Sequence, residues 1–227
     1  QGPDTSGVIQ FAEQAAAWGC DATHRAGGCA VADVNGDGYE DLFVVSMGDT
    51  SRPAVISDNR LYLNNGPDAF GNWSFTDASA ASGVQGIAPF LDGMGAAFGD
   101  YDLDGDLDLV VCHWSNFTGT VQLLENDGAG AFSNATNLLP SAGFNVRAFQ
   151  PRFADLNADR YPELIITGDF DTSVVYFNTG PTQTGHGFEL RQAQTGLGED
   201  CNAMGSALAD FNNDLLLDWY ITNIYYD

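Results

Sequence analysis

Four segments of the chain repeat one pattern, in which small residues lead into an aspartate-rich loop and a run of Val, Leu or Ile follows. The segments read GGCAVADVNGDGYEDLFVVS, MGAAFGDYDLDGDLDLVVCH, VRAFQPRFADLNADRYPELIITG and AMGSALADFNNDLLLDWYITN. Their first aspartates are Asp33, Asp100, Asp155 and Asp210, so successive copies begin 67, 55 and 55 residues apart. Internal repetition on this scale is typical of propeller blades and similar arrays.

A second signature follows each of the first three copies, and it reads NRLYLNNGPDAFGNWSFTDAS, GTVQLLENDGAGAFSNATN and SVVYFNTGPTQTGHGFELRQ. Each unit therefore reads as four short strands, of which the last carries Phe75, Phe132 or Phe188. Short β-rich strands separated by Gly, Asn and Asp turns indicate an all-β repeat array. We predict one β-propeller region of four-stranded antiparallel blades over residues 1–227, with repeats at roughly 27–80, 94–136, 147–192 and 203–227.

The two ends of the chain fit this scheme only in part. FAEQAAAW, residues 11–18, is the one candidate helix, but it resembles the strand that ends each repeat, so we predict a strand with a short trailing turn. The fourth repeat stops before its third and fourth strands. Three complete blades with two part-blades do not close a ring. We expect a fragment of a longer propeller, and the alternative is a ring completed by another chain.

The aspartate-rich segments offer oxygen atoms at alternate positions of loop 1 (33–41), loop 2 (100–108), loop 3 (155–163) and loop 4 (210–218). Side-chain oxygens occupy loop positions 1, 3, 5 and 9: Asp33, Asn35, Asp37 and Asp41; Asp100, Asp102, Asp104 and Asp108; Asp155, Asn157, Asp159 and Glu163; Asp210, Asn212, Asp214 and Asp218. Backbone carbonyls are expected at position 7, in Tyr39, Asp106, Tyr161 and Leu216. Such a set supplies the six to eight oxygen ligands that Ca²⁺ prefers.

The electrostatics of these loops also favours a cation. Two carboxylates about 4 Å apart repel each other by ~4 kcal/mol at a protein-surface dielectric, and a bound cation turns that repulsion into attraction. The absence of nitrogen and sulfur ligands from the pattern argues against zinc and copper. We therefore predict up to four Ca²⁺ sites, against the alternative of merely solvated acidic turns. In loops 3 and 4 the glycine at position 6 is replaced by Arg160 and Leu215, which must carry any left-handed backbone strain.

An EF-hand begins in a similar way but needs a glutamate at position 12 and a helix on each side. Position 12 is Val44 in loop 1 and Val111 in loop 2, and strand-like runs follow both loops. The loops together with the LYLNN and FGD elements instead resemble FG-GAP/VCBS repeats, as in the integrin α-subunit propeller and the cartilage acidic protein family. This resemblance covers nearly the whole chain. It implies a propeller with Ca²⁺ in the hairpin between the first two strands of a blade, in an extracellular setting.

The charge balance excludes some partners. The formal charge is −24, all seven basic residues are Arg, and only six of the 31 acidic residues are Glu. Such a surface repels nucleic acid and anionic lipid, and no apolar run is long enough to span a membrane. The excess of Asp over Glu favours turns and metal loops. Three sequons, at Asn72, Asn116 and Asn134, give weak support for a secreted glycoprotein.

The chain has four cysteines, and none of them forms the C-x-x-C pair that is typical of zinc or redox sites. Cys20 and Cys29 flank DATHRAGG, and we predict a small disulfide ring there. Cys112 and Cys201 either pair with each other or lie buried as small apolar residues.

No catalytic motif emerges from the chain, and we predict that it is not an enzyme, although catalytic residues could lie in blades outside it. His24, His113 and His186 stand in unrelated contexts and are expected to be structural or surface residues. Trp114 and Trp219 are expected in the core, whereas Trp73 is expected at the surface. Metal-bound aspartates stay ionised and are poor proton donors.

These observations predict an extracellular, calcium-stabilised propeller that serves as an adhesion or interaction module for a protein or glycan ligand. One alternative is a lectin with sugar pockets between blades. Another is part of a propeller-based polysaccharide lyase or dehydratase.

Overall fold

The computed structural model describes residues 11–21, 25–47, 58–87, 92–114, 120–141, 145–183, 185–191, 196 and 202–224. These residues form fourteen strands, one α-helix and one 3₁₀ helix. The first eight strands are β1 (Ala26–Ala32), β2 (Asp41–Ser46), β3 (Arg60–Pro67), β4 (Trp73–Asp77), β5 (Gly93–Gly99), β6 (Asp108–His113), β7 (Val121–Asn126) and β8 (Phe132–Asn134). The others are β9 (Arg147–Ala154), β10 (Glu163–Asp169), β11 (Val174–Thr182), β12 (Gly185–Leu190), β13 (Ala203–Ala209) and β14 (Asp218–Asn223). Helix α1 (Ala15–Trp18) precedes β1, and the 3₁₀ helix (Thr136–Leu138) follows β8.

The strands pair in chain order into separate antiparallel sheets. Blade 1 contains β1–β4, blade 2 contains β5–β8 and blade 3 contains β9–β12, while β13 and β14 form the two-stranded blade 4. The fold is a partial β-propeller of four-stranded antiparallel blades, so the predicted fold class is confirmed. The strand that carries the aromatic residue is the fourth of each full blade, as predicted.

Packing between blades explains why the second strand of each repeat is so apolar. All six residues of β6 are buried, because blade 2 is covered on both faces. Leu109 and Val111 join the core shared with blade 1, whereas Val110 and Cys112 join the core shared with blade 3. Alternation along a strand sends successive side chains to opposite faces. The middle of a strand between two blades, residues 109–112 in β6, is therefore apolar at every position, as in a sheet buried on both sides.

The first strands of neighbouring blades approach so closely that a side chain would not fit. A Cβ atom on Gly27 of β1 would lie 2.0 Å from the carbonyl oxygen of Gly93 in β5. A Cβ atom on Gly95 would lie 2.3 Å from the carbonyl oxygen of Phe149 in β9. The glycines of β1 and β5 thus allow backbone-to-backbone contact between blades 1 and 2 and between blades 2 and 3.

The antiparallel order places the functional elements at two opposite ends of the blades. The four aspartate loops join the first strand to the second, and the turns between third and fourth strands lie at the same end. We call this the loop end. The beginnings of the first strands and the ends of the second strands lie at the other end, which we call the opposite end.

The prediction of a strand at residues 11–18 is wrong. Residues 15–18 form helix α1, which ends at Gly19 in the left-handed conformation (φ 82°). Three consecutive alanines favour a helix more than any other residue does, and the side chain of Glu13 accepts the backbone N–H of Ala15. The helix packs beside β4, where the Trp18 ring lies 6.3 Å from the Phe75 ring.

Candidate metal centres

The backbone of the four aspartate loops follows one conformation. Loop positions 4 and 6 have positive φ in every copy: Gly36 (70°) and Gly38 (88°), Leu103 (62°) and Gly105 (100°), Ala158 (62°) and Arg160 (83°), Asn213 (61°) and Leu215 (70°). The prediction that Arg160 and Leu215 take the left-handed conformation is confirmed. The sequence did not reveal position 4, where Leu103 and Ala158 stand in place of a glycine. Non-glycine residues adopt this conformation at a cost, so the rest of the loop must enforce it.

The first aspartate of each loop enforces that turn by accepting two backbone N–H groups. Asp100 accepts the N–H of Asp104 and the N–H of Gly105, both at 3.1 Å. The equivalent bonds of Asp33, Asp155 and Asp210 measure 2.8–3.2 Å. The oxygens at positions 3 and 5 accept further N–H groups of the same loop. The side chains at positions 1, 3 and 5 therefore turn towards the inside of the loop, as the sequence predicted.

The acidic residue at loop position 9 is more buried than the other acidic residues of the loop, and its hydrogen bonds connect the loop to the blade. Asp41 and Asp108 are almost fully buried. Asp108 accepts the N–H of Tyr101 at 3.2 Å and the N–H of Asn126, in β7, at 3.0 Å. Burial raises the pKa of Asp108 to about 7, and it also raises the pKa of Asp41. Nearby Asp102 and Asp104 add like-charge repulsion at Asp108, so a cation in the loop would relieve both penalties.

Loops 3 and 4 depart from this arrangement in different ways. In loop 3 the longer Glu163 reaches the amide of Asn157 at 3.0 Å and the N–H of Leu156 at 2.7 Å. Burial raises the pKa of Glu163 as well. In loop 4 Asp218 is only half-buried, although it still accepts the N–H of Phe211 at 3.0 Å. The conformation of the loop therefore survives in blade 4, while its surroundings are more exposed.

In blades 1–3 the residue at position 7 packs against the turn between the third and fourth strands, whereas Leu216 in blade 4 is exposed. The Tyr39 ring lies against Gly66, where an added Cβ would come within 2.5 Å of it, and its edge meets Trp73 at 5.7 Å between ring centroids. Tyr161 contacts Gly180 in the same way. These contacts hold loops 1 and 3 against the turns between the third and fourth strands of their blades. That the carbonyls of Tyr39, Asp106, Tyr161 and Leu216 bind a cation stays a prediction.

Loop 2 brings three carboxylates together at a spacing that suits one ion. Oxygen atoms of Asp100, Asp102 and Asp108 all lie within 4.8 Å of one another. Two ligands of one Ca²⁺ ion lie at most about 5 Å apart, because each Ca–O distance is about 2.3–2.6 Å. The donor set is entirely oxygen and partly buried, so these residues fit a hard divalent cation. The cluster can hold a metal ion.

Sequence reasoning missed an asparagine that connects neighbouring loops. Asn126, the last residue of β7, donates its side-chain amide to the carbonyls of Leu107 at 3.1 Å and Val34 at 2.9 Å. Leu107 belongs to loop 2, whereas Val34 belongs to loop 1 of the preceding blade. Asn178 repeats the arrangement one blade later, with bonds to Pro162 at 3.2 Å and Tyr101 at 2.7 Å. The signal was present in the repeated Asn of LYLNN, LLEND and YFNTG.

The predicted disulfide between Cys20 and Cys29 is wrong, since both are free thiols, as is the buried Cys112. Cys29 lies on β1, while Cys20 follows the helix that packs beside β4. These two strands are the opposite edges of blade 1, roughly 14 Å apart at the usual strand spacing. Cys201 and the alternative that it pairs lie outside the described residues.

The single aromatic and histidine residues have varied surroundings. His113 is fully buried, and burial lowers its pKa to about 4. The His186 ring lies near the rings of Tyr101 and Tyr161, and Trp73 is exposed as expected. Trp114 is only half-buried, contrary to the expectation of a core residue, and its indole N–H donates to Asp169 at 3.0 Å. His24 and Asn116 fall outside the described residues.

Comparison with known families gives three matches to the FG-GAP-like repeat, over residues 33–111, 100–166 and 155–221. Together these matches cover residues 33–221, well over half of the chain. The chain belongs to the FG-GAP repeat family. Each FG-GAP match begins at the first aspartate of a loop and ends within the second strand of the next blade. A comparison with curated proteins found no match.

The FG-GAP assignment accounts for the fold and gives the coarse role of an interaction module. It agrees with the cluster of Asp100, Asp102 and Asp108 in loop 2 as a site that can hold a metal ion. Among the described residues, no helix is long and apolar enough to cross a membrane.

Proposed function

We propose that this FG-GAP propeller is an extracellular interaction module, and not an enzyme, whose aspartate loops bind structural Ca²⁺. The observation that carries the proposal is the cluster of Asp100, Asp102 and Asp108, whose oxygens converge within 4.8 Å on a partly buried site. Asp102 and Asp108 both have raised pKa values, with burial as the first cause. Ca²⁺ supplies the positive charge that these carboxylates lack, and it needs no nitrogen or sulfur ligand.

The role of the cation follows from where the loops lie. Each loop joins the first two strands of a blade, and its position-9 acid is hydrogen-bonded to the third strand in blades 1 and 2. Ca²⁺ bound there stabilises the hairpin and the blade edge together. The proposed extracellular location rests on the three sequons and on the millimolar Ca²⁺ available outside cells, which suits exposed sites of modest affinity. The free Cys20 and Cys29 give that location no support.

Thermal unfolding in EDTA and in excess Ca²⁺ tests the proposal. Saturation at 100 times the dissociation constant adds ~2.7 kcal/mol per independent site. For a chain of this size each kcal/mol is worth about 2–4 °C in Tm, so each occupied site should raise Tm by about 5–11 °C. Chelation should lower Tm by the sum over occupied sites, and added Ca²⁺ should restore it. Identical melting curves in EDTA and Ca²⁺ would defeat the proposal.

Two isosteric variants assign the effect to the loops. Asp102→Asn removes one ligand charge of loop 2 but keeps the oxygen that accepts the N–H of Asp104. It should reduce the Ca²⁺-dependent rise in Tm by the contribution of one site. Asp127→Asn is the matched control, because Asp127 lies in the turn after β7 and also accepts backbone N–H groups through one oxygen, from Ala129 and Ala131. It changes the charge equally and should leave the Ca²⁺ effect intact.

A further inference from the structure

A cleft of about 390 Å³ lies at the opposite end of blades 2, 3 and 4, away from the aspartate loops. Its floor contains Met94, Phe149 and Met204, which occupy equivalent positions near the beginning of β5, β9 and β13. Each of the three is the extra residue of a β-bulge, because the strand register skips it. A bulge redirects a side chain out of the regular alternation. Three successive blades therefore turn one large apolar side chain each towards the same cleft.

One side of the cleft contains Trp114 and Phe170, and the Arg147 guanidinium lies over both of their rings. We call these three residues the aromatic stack. The guanidinium of Arg147 lies 5.1 Å from the Trp114 ring centroid and 4.4 Å from that of Phe170. The Trp114 indole donates to Asp169, which also accepts the N–H of Phe170. Phe170 and Asp171 both have positive φ, at 55° and 58°. Consecutive non-glycine residues in this conformation are strained, and strain of this kind is concentrated at binding sites.

The charges around the cleft are mostly negative. Asp169 lies in the wall, and Asp171 follows Phe170 in the same turn. The backbone carbonyl of Asp92 accepts the N–H of Trp114, and one carboxylate oxygen of Asp92 is buried with no hydrogen-bond partner among the described residues. Arg147, the one basic residue described in this stack, lies over two aromatic rings, and its single positive charge is outnumbered by the three nearby carboxylates. The approach to the cleft therefore favours a basic ligand, as the net charge of −24 does at longer range.

We infer that this cleft is the docking site for a protein partner that inserts one large apolar side chain flanked by basic residues. Apolar lining, two flexible methionines and partly exposed aromatic rings suit an aliphatic or aromatic anchor. The volume is near the lower end of the range for ligand pockets, which fits one or two side chains. The inference rests on the proposed interaction role, but it does not depend on Ca²⁺.

Fluorescence polarisation with short labelled peptides tests the inference. The three probes place Phe between arginines, Ala between arginines, and Phe between glutamates. The Phe peptide with arginines should bind at least about 10-fold tighter than either of the others, since an anchor and charge complementarity are both required. Equal binding of the two arginine peptides would show charge attraction alone and would overturn the inference.

Surface variants locate the binding. Met204→Ser and Phe170→Ser shorten two exposed apolar side chains of the cleft, and each should weaken binding of the Phe peptide about 10-fold. Phe70→Ser is the matched control, because Phe70 is exposed and apolar but lies in the turn between β3 and β4, at the loop end and outside the aspartate loops. It should leave binding unchanged. Unchanged binding in both cleft variants would also overturn the inference.

A glycan array on the same protein tests whether the cleft binds sugars instead of a protein partner. Saturable binding of a neutral oligosaccharide that Met204→Ser and Phe170→Ser abolish would make the cleft a sugar site and overturn the inference. The melting curves in EDTA and Ca²⁺ report on the proposed calcium role separately. Peptide binding with no Ca²⁺ effect would therefore defeat the calcium proposal alone, and a Ca²⁺ effect with no peptide binding would defeat this inference alone.

Discussion

The asparagine that recurs in each third strand offers a direct measurement of how strongly neighbouring blades are joined. Asn126 donates to Leu107 within its own blade and to Val34 of the preceding blade, and its side-chain oxygen accepts the N–H groups of Gly128 and Gly130. Replacing it by alanine, Asn126→Ala, removes all of these bonds. The buried carbonyl of Val34 then loses the amide that crosses between the blades.

Asn64 provides the control, since it makes the corresponding bonds inside blade 1. Its amide donates to Glu40 at 3.0 Å, and its oxygen accepts the N–H of Gly66 at 3.1 Å. Within the part of the chain that the structure describes, no bond from this amide to another blade occurs. The difference between Asn126→Ala and Asn64→Ala therefore contains the bond to Val34 and also the bond from the N–H of Gly130. Asn178→Ala isolates the contact between blades more closely, because the Asn178 oxygen accepts the N–H of Gly180 as the Asn64 oxygen accepts that of Gly66.

The magnitude follows from the bonds lost. A buried group left without its hydrogen bond costs about 1–3 kcal/mol, so Asn126→Ala should destabilise the protein by that much more than Asn64→Ala. The corresponding extra fall in Tm is about 2–12 °C for a chain of this size. Asn178→Ala should behave like Asn126→Ala, because Asn178 bonds to Tyr101 across the next interface.

Urea unfolding followed by circular dichroism and by tryptophan fluorescence measures these differences at fixed Ca²⁺ concentration. Equal losses of stability for Asn64→Ala and Asn126→Ala would refute the reasoning, since the bond to Val34 would then contribute nothing.

Two further predictions concern packing and protonation. Gly95→Ala should destabilise the protein by about 1–3 kcal/mol, because the added Cβ would lie 2.3 Å from the Phe149 carbonyl oxygen. Gly187→Ala is the control, since the nearest atom to its added Cβ is 3.5 Å away, and it should be neutral or slightly stabilising. Thermal unfolding measures both. Burial lowers the pKa of His113 to about 4. Between pH ~6.5 and ~4 the unfolded chain therefore binds a proton that the folded protein does not. The free energy of unfolding should fall by at most about 3 kcal/mol as the pH is lowered through this range. In urea unfolding at pH 7 and pH 4.5, His113→Gln should lose less free energy of unfolding between the two pH values than the original protein does. An equal loss would contradict this assignment.

The aspartate loops could be predicted from the sequence because their geometry is local. The bonds from Asp100 reach only four and five residues along the chain, and the same spacing recurs in all four loops. Short-range side-chain to backbone bonds of this kind specify a turn almost independently of its surroundings. The four-stranded units could be predicted for a similar reason, since the alternating signatures and turns of each blade are contiguous in sequence.

Local patterns gave wrong predictions where two segments looked alike or lay close in sequence. Residues 11–18 resemble a last strand, but three alanines and a glycine cap make part of them a helix. Cys20 and Cys29 are only nine residues apart, yet the sheet places them near opposite edges of blade 1. Sequence separation says little about distance once a chain crosses a whole sheet.

The tertiary structure alone decided which residues from distant segments meet. Asn126 and Val34 are 92 residues apart, and only blade-to-blade packing brings that amide to that carbonyl. Met94, Phe149 and Met204 line one cleft because bulges in three separate strands turn them the same way. The loops and strands thus follow from short-range hydrogen bonding and hydrophobic alternation in the sequence. The contacts between loops and the cleft depend on how whole blades stack, and that packing has no short-range signal.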